Sequence, residues 1–228
     1  MFIGHFAVAL AAKRAAPELS LGTLFLAAQL ADLVWPTLVL LGIERFEVRP
    51  GITAVTPLDF IYYPWSHSLT AMAFWGVALA VTWVAVKRGT PMAAIVIMAV
   101  VVSHWLLDWI THRPDLPLTI GGEERYGLGL WQSMGGTLAL EGALFAVCLV
   151  FYVIGTRALD RMGRWGFWGL VVFLLVVYLA SLFGPPPPSE TAVAWSAQAI
   201  WLLVAWGYWV DRHRTHRPVP LLQRGRPT

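Results

Sequence analysis

The chain has 228 residues, of which 58% are apolar and only 13% are charged, and its mean hydropathy is +0.65. Soluble domains average about 45–50% apolar and about 25% charged residues, so a soluble fold of this size could not bury so much apolar surface. The composition excludes a water-soluble domain and predicts an all-α, polytopic helical membrane bundle. The net charge of +3 indicates orientation in the bilayer, and we expect no nucleic-acid partner.

The first element is a short apolar run, residues 2–12, which is followed by Lys13 and Arg14. No positive charge precedes this run and His5 interrupts it, so we expect a short helix that is retained rather than a cleaved signal peptide. Six longer runs follow, and each is long enough to cross the hydrocarbon core of a bilayer. These predicted spans are residues 20–42, 67–86, 91–112, 137–155, 165–184 and 191–210.

This pattern divides the chain into three parts. Residues 1–155 contain the short helix, the first four spans and the polar residues of the membrane interior. Residues 156–210 contain two further spans, and residues 211–228 form a basic tail that we expect to be disordered on the surface of anionic lipid. The single cysteine, Cys148, excludes a disulfide framework and a cysteine metal site.

The distribution of cations predicts the orientation of the spans. If Lys13 and Arg14 are cytoplasmic and the six spans alternate, twelve of the 16 Lys and Arg residues are cytoplasmic. The outer loops then contain only Arg45, Arg49, Arg113 and Arg125. This asymmetry predicts a multi-pass protein with a cytoplasmic C-terminus. The two long outer loops, residues 43–66 and 113–136, are where we expect binding residues.

Ionisable side chains within a span are candidate functional residues, because each costs about 2.5–3.5 kcal/mol on membrane insertion. His104, Asp108 and His112 recur at intervals of four residues and therefore share one helix face. An imidazole and a carboxylate with this spacing can coordinate one metal ion. The spacing alone also allows a His–Asp hydrogen bond between helices, with His112 as an unrelated interfacial residue.

Six ionisable side chains from five segments fall at a similar depth in the outer half of the bilayer, as judged from a rise of about 1.5 Å per helical residue. They are His5, Asp32, His67, His104, Asp108 and Glu141. Nitrogen and oxygen donors without sulfur suit zinc, manganese or ferrous iron better than copper(I). Asp32 could instead be a lone proton-relay carboxylate. Glu141 could be a ligand, a general base or a partner of a histidine.

Several motifs resemble the bacterial membrane-bound metal-dependent hydrolases, a family of inner-membrane proteins distantly similar to zinc-dependent phospholipase C. The shared motifs are Gly4-His5-Phe6, Gln29-Leu30-Ala31-Asp32, Ser66-His67-Ser68 and His104-xxx-Asp108. One subgroup of membrane proteins is similar also in Thr56-Pro57-Leu58-Asp59-Phe60, in residues 112–118 and in Gly127-Leu128-Gly129-Leu130-Trp131. The resemblance covers residues 1–155, and the last two spans match only as apolar helices.

The resemblance implies a bacterial inner-membrane location and a divalent cofactor, zinc in the first place and manganese or iron as alternatives. It implies metal ligands at His5, Asp32, His67, His104 and Asp108. The family commonly has Pro-Asp-x-Asp in the first span, whereas this chain reads Ala-Asp-Leu-Val around Asp32, so the second carboxylate is missing. His112 stands near a position where such hydrolases more often have Thr. The resemblance implies a reaction class and no substrate.

The first functional hypothesis is an intramembrane metallohydrolase that acts on a phosphate or acyl group of a membrane lipid or lipid-like substrate. Glu141 or His112 would carry the proton, and either residue is a candidate catalytic group. Arg113 and Arg125, two of the few outer cations, would bind an anionic group of the substrate.

Two loop carboxylates are further candidate site residues. Asp59 and Asp115 would orient ligands or contact a substrate hydroxyl, or would simply be solvated loop residues.

The second functional hypothesis is a proton- or metal-coupled transporter or permease, in which buried His and Asp residues carry the ion. We find no repeat in two halves, and the polar residues crowd towards the outer face, which favours the hydrolase. The third hypothesis is a structural membrane subunit whose polar cluster fixes helix packing.

Overall fold

The computed structural model of the chain describes residues 1–217. Most of these residues are helical, and the short strands form three two-stranded antiparallel pairs. The predicted all-α helical bundle is therefore confirmed.

The elements follow the chain in this order. The helices are α1 (Ile3–Ala15), α2 (Leu21–Ala28), α3 (Leu30–Leu40), α4 (Pro64–His67), α5 (Leu69–Lys87), α6 (Pro91–Thr111), α7 (Met134–Gly155), α8 (Arg161–Phe183), α9 (Glu190–Ala197) and α10 (Ile200–Arg212). The strands are β1 (Arg45–Val48), β2 (Leu58–Tyr62), β3 (Leu116–Pro117), β4 (Arg125–Tyr126), β5 (Thr156–Ala158) and β6 (Arg214–His216). A single 3-10 turn, Leu130–Gln132, precedes α7.

Five helices of the described chain are long and apolar enough to cross a membrane: α5, α6, α7, α8 and the stretch Glu190–Arg212, which contains α9 and α10. Helices α2 and α3 together form a sixth candidate, but their axes meet at 54°. The predicted spans agree with these helices to within a few residues, and the largest offset is at the start of α8, which begins at Arg161 instead of residue 165. The chain is a multi-pass membrane protein in which α2 and α3 form either a broken span or a re-entrant loop.

Residues with short polar side chains cap the N-termini of six helices. In six helices the residue before the first turn accepts a hydrogen bond from a backbone N–H of that turn, as an N-cap does. These N-caps are Ser20, Ser68, Thr90, Ser133, Asp160 and Ser189. The caps place each helix start within the otherwise continuous apolar sequence.

Helix α1 lies at the centre of the bundle, where it packs against α7, α2 and α6. Its side chains are buried on all sides, from Ile3 and Phe6 to Leu10, as expected of a helix without a polar face. The short N-terminal helix expected from the sequence is therefore present, and His5 in its first turn points into the protein interior rather than to the membrane surface.

Helix α10 crosses α2 at very short distance. A Cβ atom added at Gly207 would lie 3.0 Å from the Cα atom of Gly22, so a larger residue would require the two helices to move apart. The last two spans are thus packed against the first part of the chain.

The beginning of the expected tail is folded. Strand β6 pairs with β5, and His213 Nδ1 lies 2.7 Å from Asp160 Oδ2. Asp211 forms a 2.8 Å ion pair with the buried Lys13. The expectation of a disordered, solvated tail from residue 211 is therefore wrong for residues 211–217, because these contacts hold them to the bundle. The rest of the tail, residues 218–228, lies outside the described residues.

The two long loops, residues 43–66 and 113–136, meet at the end of the bundle opposite to residues 211–217. We call this end the loop end. Strands β1 and β2 form a hairpin in the first loop, and β3 and β4 pair in the second. The Ala54 N–H donates to the carbonyl of Trp131, which joins the two loops. Together they cover the ends of the helices that contain the polar cluster described next.

Candidate metal centre

Two overlapping groups of side chains could hold a metal ion, and they share His104. The first consists of His5, His104 and Asp108, and the second of Asp32, His67 and His104. Within each group the donor atoms lie within 4.8 Å of one another. The structure thus brings together all five residues that the family resemblance implies as ligands.

Each donor is positioned by a different local feature. His5 lies in the first turn of α1, and Asp32 lies in the first turn of α3, directly after the break in the first span. His67 is the last residue of α4, a single turn that starts at Pro64. His104 and Asp108 are one turn apart on α6, as their spacing predicts.

The Asp108 carboxylate is the centre of the cluster. Its Oδ2 atom lies 3.2 Å from Nε2 of His104 and 3.9 Å from Nε2 of both His67 and His112. Its Oδ1 atom lies 3.1 Å from Nε2 of His5. The Nε2 atoms of four imidazoles therefore all lie near one buried carboxylate.

The break in the first span fixes the orientation of His104. Ala28 is the last residue of α2, and a carbonyl at a helix C-terminus lacks its partner within the helix. This carbonyl accepts a 2.7 Å hydrogen bond from Nδ1 of His104. Irregular backbone at this depth is tolerated because it is buried inside the protein. With its Nδ1 proton held by this carbonyl, a neutral His104 ring has its lone pair on Nε2.

A chain of hydrogen bonds fixes His67 in the same way. The Ser66 hydroxyl donates to Oε2 of Glu44 at 2.6 Å, and the Ser66 N–H donates to Oε1 at 2.9 Å. Since its proton is directed to Glu44, Ser66 Oγ accepts from Nδ1 of His67 at 2.7 Å. Burial raises the pKa of the Glu44 carboxyl, and the hydrogen bonds from Ser66 act against this rise. Nε2 of His67 is left bare and lies 3.4 Å from Oδ1 of Asp32.

His112, directly after α6, has a carboxylate as its partner. Its Nδ1 atom lies 2.9 Å from Oδ1 of Asp115, which also accepts a 3.0 Å hydrogen bond from the hydroxyl of Tyr63. The indole of Trp131 packs on the imidazole, with ring centroids 4.3 Å apart. This partner again holds the proton on Nδ1 and turns Nε2 towards Asp108.

The donor set fits a bound cation. Unprotonated Nε2 atoms and carboxylate oxygens both carry lone pairs, so they repel one another unless a cation lies between them. Nε2 of His104 is buried and has no hydrogen-bond partner among residues 1–217. The separation of donors in a tetrahedral zinc site is about 3.3 Å, given Zn–N bonds of about 2.0–2.1 Å. The spacings of 3.1–3.4 Å around Asp108 and Asp32 are close to this value.

Glu141 lies next to the cluster but binds the backbone of α1. Its Oε2 atom accepts hydrogen bonds from the N–H groups of Phe2 at 3.0 Å and Gly4 at 3.2 Å. It therefore stabilises the N-terminus of the helix that carries His5. The main-chain nitrogen of Met1 lies 2.5 Å from Asp108 Oδ1 at the same place. Glu141 is in neither of the two groups of metal donors.

The four loop residues expected to bind substrate have separate positions. Asp59 is only 2% exposed and is paired with Arg113 and with Arg49, so it is not a solvated loop carboxylate. Arg113 also donates to Asp115 at 3.0 Å, which links this ion pair to His112. Arg125 instead donates to carbonyls of its own loop and is not brought to the cluster.

Glu44, Ser66 and the Ala28 carbonyl are parts of the site that the sequence alone did not predict. Glu44 follows the first span, where a single acidic residue is typical of an ordinary loop. Ser66 directly precedes His67 and belongs to the Ser66-His67-Ser68 motif.

The known proteins give no independent assignment. No family model, no curated protein and no solved structure matches this chain. The geometry of the cluster is therefore the basis for assigning a function.

Proposed function

We propose that this chain is an integral-membrane metal-dependent hydrolase of the bacterial inner membrane, belonging to the family whose motifs it resembles. The proposed substrate is a membrane lipid or lipid-like molecule that carries a phosphate or acyl group. One observation carries the proposal: three histidines whose Nδ1 atoms have hydrogen-bond partners turn their Nε2 atoms towards the Asp32 and Asp108 carboxylates. Partners on Nδ1 leave the Nε2 lone pairs of the neutral rings free to bind an ion.

The proposed ligands are His5, Asp32, His67, His104 and Asp108, with zinc as the metal. A divalent ion held there would supply Lewis-acid polarisation of a substrate oxygen and would acidify a bound water. The protein contributes rigid orientation, because the Ala28 carbonyl and the Ser66–Glu44 pair hold two of the imidazoles. Such partners of ligating histidines raise their basicity and fix the tautomer.

The geometry favours His112 over Glu141 as the proton carrier. A proton accepted by Nε2 of His112 makes an imidazolium that the adjacent Asp115 stabilises at 2.9 Å. Glu141 already accepts two backbone N–H groups, and this role positions α1 and therefore His5. We assign His112 as general base and general acid and Glu141 as a positioning residue.

The broken span α2–α3 favours a second candidate, a metal- or proton-coupled transporter. Helices broken near the membrane midplane form ion sites in many transporters, although such breaks occur there in pairs. In residues 1–217 only one bent pair is present. A transport function would use the same His and Asp residues, so the two candidates differ in whether a covalent bond is broken.

One reconstitution separates the two. The purified protein is placed in vesicles of phosphatidylethanolamine and phosphatidylglycerol, and lipid products are followed by mass spectrometry together with zinc uptake by an internal dye. The hydrolase predicts products that require metal and are lost in His112→Asn, while Ser103→Ala, on the same helix, remains active. Zinc uptake that depends on Asp32, without lipid products, would favour the transporter and contradict the hydrolase.

A further inference from the structure

An apolar cleft lies between α3 and the helices α8, α9 and α10. Its volume is about 660 Å³, within the range of small-molecule sites. Its walls include Trp35 on α3, Phe173 and Val177 on α8, and Leu203 and Trp206 on α10. Among the described residues its walls carry one acid, and their other polar side-chain groups are two serine hydroxyls and the indole N–H groups of the two tryptophans.

That acid is Asp32, a member of the candidate metal centre. Its side chain is 25% exposed, whereas His67, His104 and Asp108 are each exposed by 5% or less. Asp32 is the one ionisable residue among the described residues that line the cleft. The cleft therefore reaches the metal centre from the side of its most accessible donor.

The mouth of the cleft faces the bilayer rather than water. Phe173 and Leu202 line the cleft and are 45% and 71% exposed, on helices that cross the membrane. Exposed apolar side chains at that level of a membrane protein contact lipid chains. A molecule entering from this side arrives within the hydrocarbon layer.

We propose that this cleft binds one alkyl chain of a membrane lipid and presents the polar end of that lipid at Asp32. The inference rests on the proposed function, since it names the side from which the substrate reaches the metal centre. Entry through this lateral cleft would let an amphiphile reach the centre without exposing its chain to water.

The composition of the walls favours a lipid chain over a protein segment. An extended segment or a polar helix face from another protein would bring several polar groups that need partners, and besides Asp32 the cleft offers only two serine hydroxyls and two indole N–H groups. A lipid chain is already in an apolar solvent, so burial from water does not drive its entry. Selection must come from the shape of the cleft and from the polar end at Asp32.

The test uses phosphatidylcholine with a photoreactive diazirine in its acyl chain, in vesicles that contain the full-length protein. Cross-linked residues are mapped by mass spectrometry. Val177→Trp fills the cleft, and Val176→Trp is the matched control, because Val176 is the adjacent residue on α8, is 58% exposed and does not line the cleft. Ala197→Phe on the opposite wall replaces Val177→Trp if that variant does not fold.

We expect cross-links on the cleft walls in the wild type and in Val176→Trp, and their loss in Val177→Trp with unchanged metal content. Cross-links spread evenly over all lipid-facing helices, or retained in Val177→Trp, would overturn the proposal. A protein–protein cross-link through the cleft would assign it to a second copy of the chain and would also overturn it. The lipid site and the hydrolase can fail separately. Absence of metal in the wild type would refute the hydrolase. Cleft cross-links that persist in Asp108→Asn, which lacks the metal, would still support the lipid site.

Discussion

The hydrogen-bond chain from Glu44 through Ser66 to His67 gives the sharpest test of how the site is held. Ser66→Ala removes the one hydroxyl that connects the Glu44 carboxylate with Nδ1 of His67, at distances of 2.6 and 2.7 Å. The backbone N–H of residue 66 still binds Glu44, so the local fold keeps one of its two contacts. The imidazole then has no partner on this path to fix its tautomer.

The magnitude follows from the partners that are lost. Removal of a group that orients a ligating histidine lowers metal affinity by about 10–100-fold. This loss corresponds to about 1.4–2.8 kcal/mol of binding free energy. The buried acceptor and donor left without partners also lower the free energy of unfolding by about 1–3 kcal/mol. Ser66→Thr retains the hydroxyl and should restore most of the metal affinity.

The assay is a competition titration of zinc between the purified protein and a chromophoric chelator. Ser103→Ala is the matched control, because Ser103 is adjacent to His104 but its hydroxyl bonds only to the Val100 carbonyl of its own helix. We expect wild-type affinity in the control and reduced affinity in Ser66→Ala. Equal affinities in wild type and Ser66→Ala would refute the role given to this hydrogen-bond chain.

Three further predictions concern stability. Gly207→Val should lower the free energy of unfolding by about 1–3 kcal/mol, because its Cβ would meet the backbone of α2, whereas Gly142→Val, with open space around it, should have little effect in the same thermal unfolding assay. The Gly163 N–H and His213 hold the pKa of the Asp160 carboxyl below its usual value, so its contribution is present above the unfolded pKa and is lost as pH falls through the folded one. Asp160→Asn should therefore melt below wild type near about pH 7, by a difference that shrinks as the pH falls below about 3.9, and a pH-independent difference would contradict this. Chelation should lower the melting temperature of the wild type, since an ion at about 100 times its Kd stabilises the native state by about 2.7 kcal/mol, and an unchanged temperature would contradict bound metal.

The positions of the spans could be predicted because run length and hydropathy fix which segments cross a bilayer. The break in the first span could not. The sequence has Pro36 in this span, where a kink would be expected, yet the helix breaks at Gln29 and α3 continues through the proline. The break coincides with the hydrogen bond between the Ala28 carbonyl and His104, which is a tertiary contact.

The membership of the site was partly predictable for a similar reason. Helical rise gives the depth of a residue such as Asp32 or His104, so residues at one depth can be recognised from sequence. Rise does not give the direction in which a side chain points. The sequence therefore did not separate Glu141, which caps α1, from the residues around Asp108. The role of Glu44 depends on the fold of the first loop, which brings it to Ser66.

The central claim is that the cluster around Asp108 binds a divalent metal ion. Elemental analysis of protein purified without chelators tests it most directly, with Asp108→Asn as the variant and Ser103→Ala as the control. We predict at least one divalent ion per chain in the wild type and control, and none in Asp108→Asn. Wild-type protein without a bound divalent ion, or Asp108→Asn with a full complement, would contradict the account.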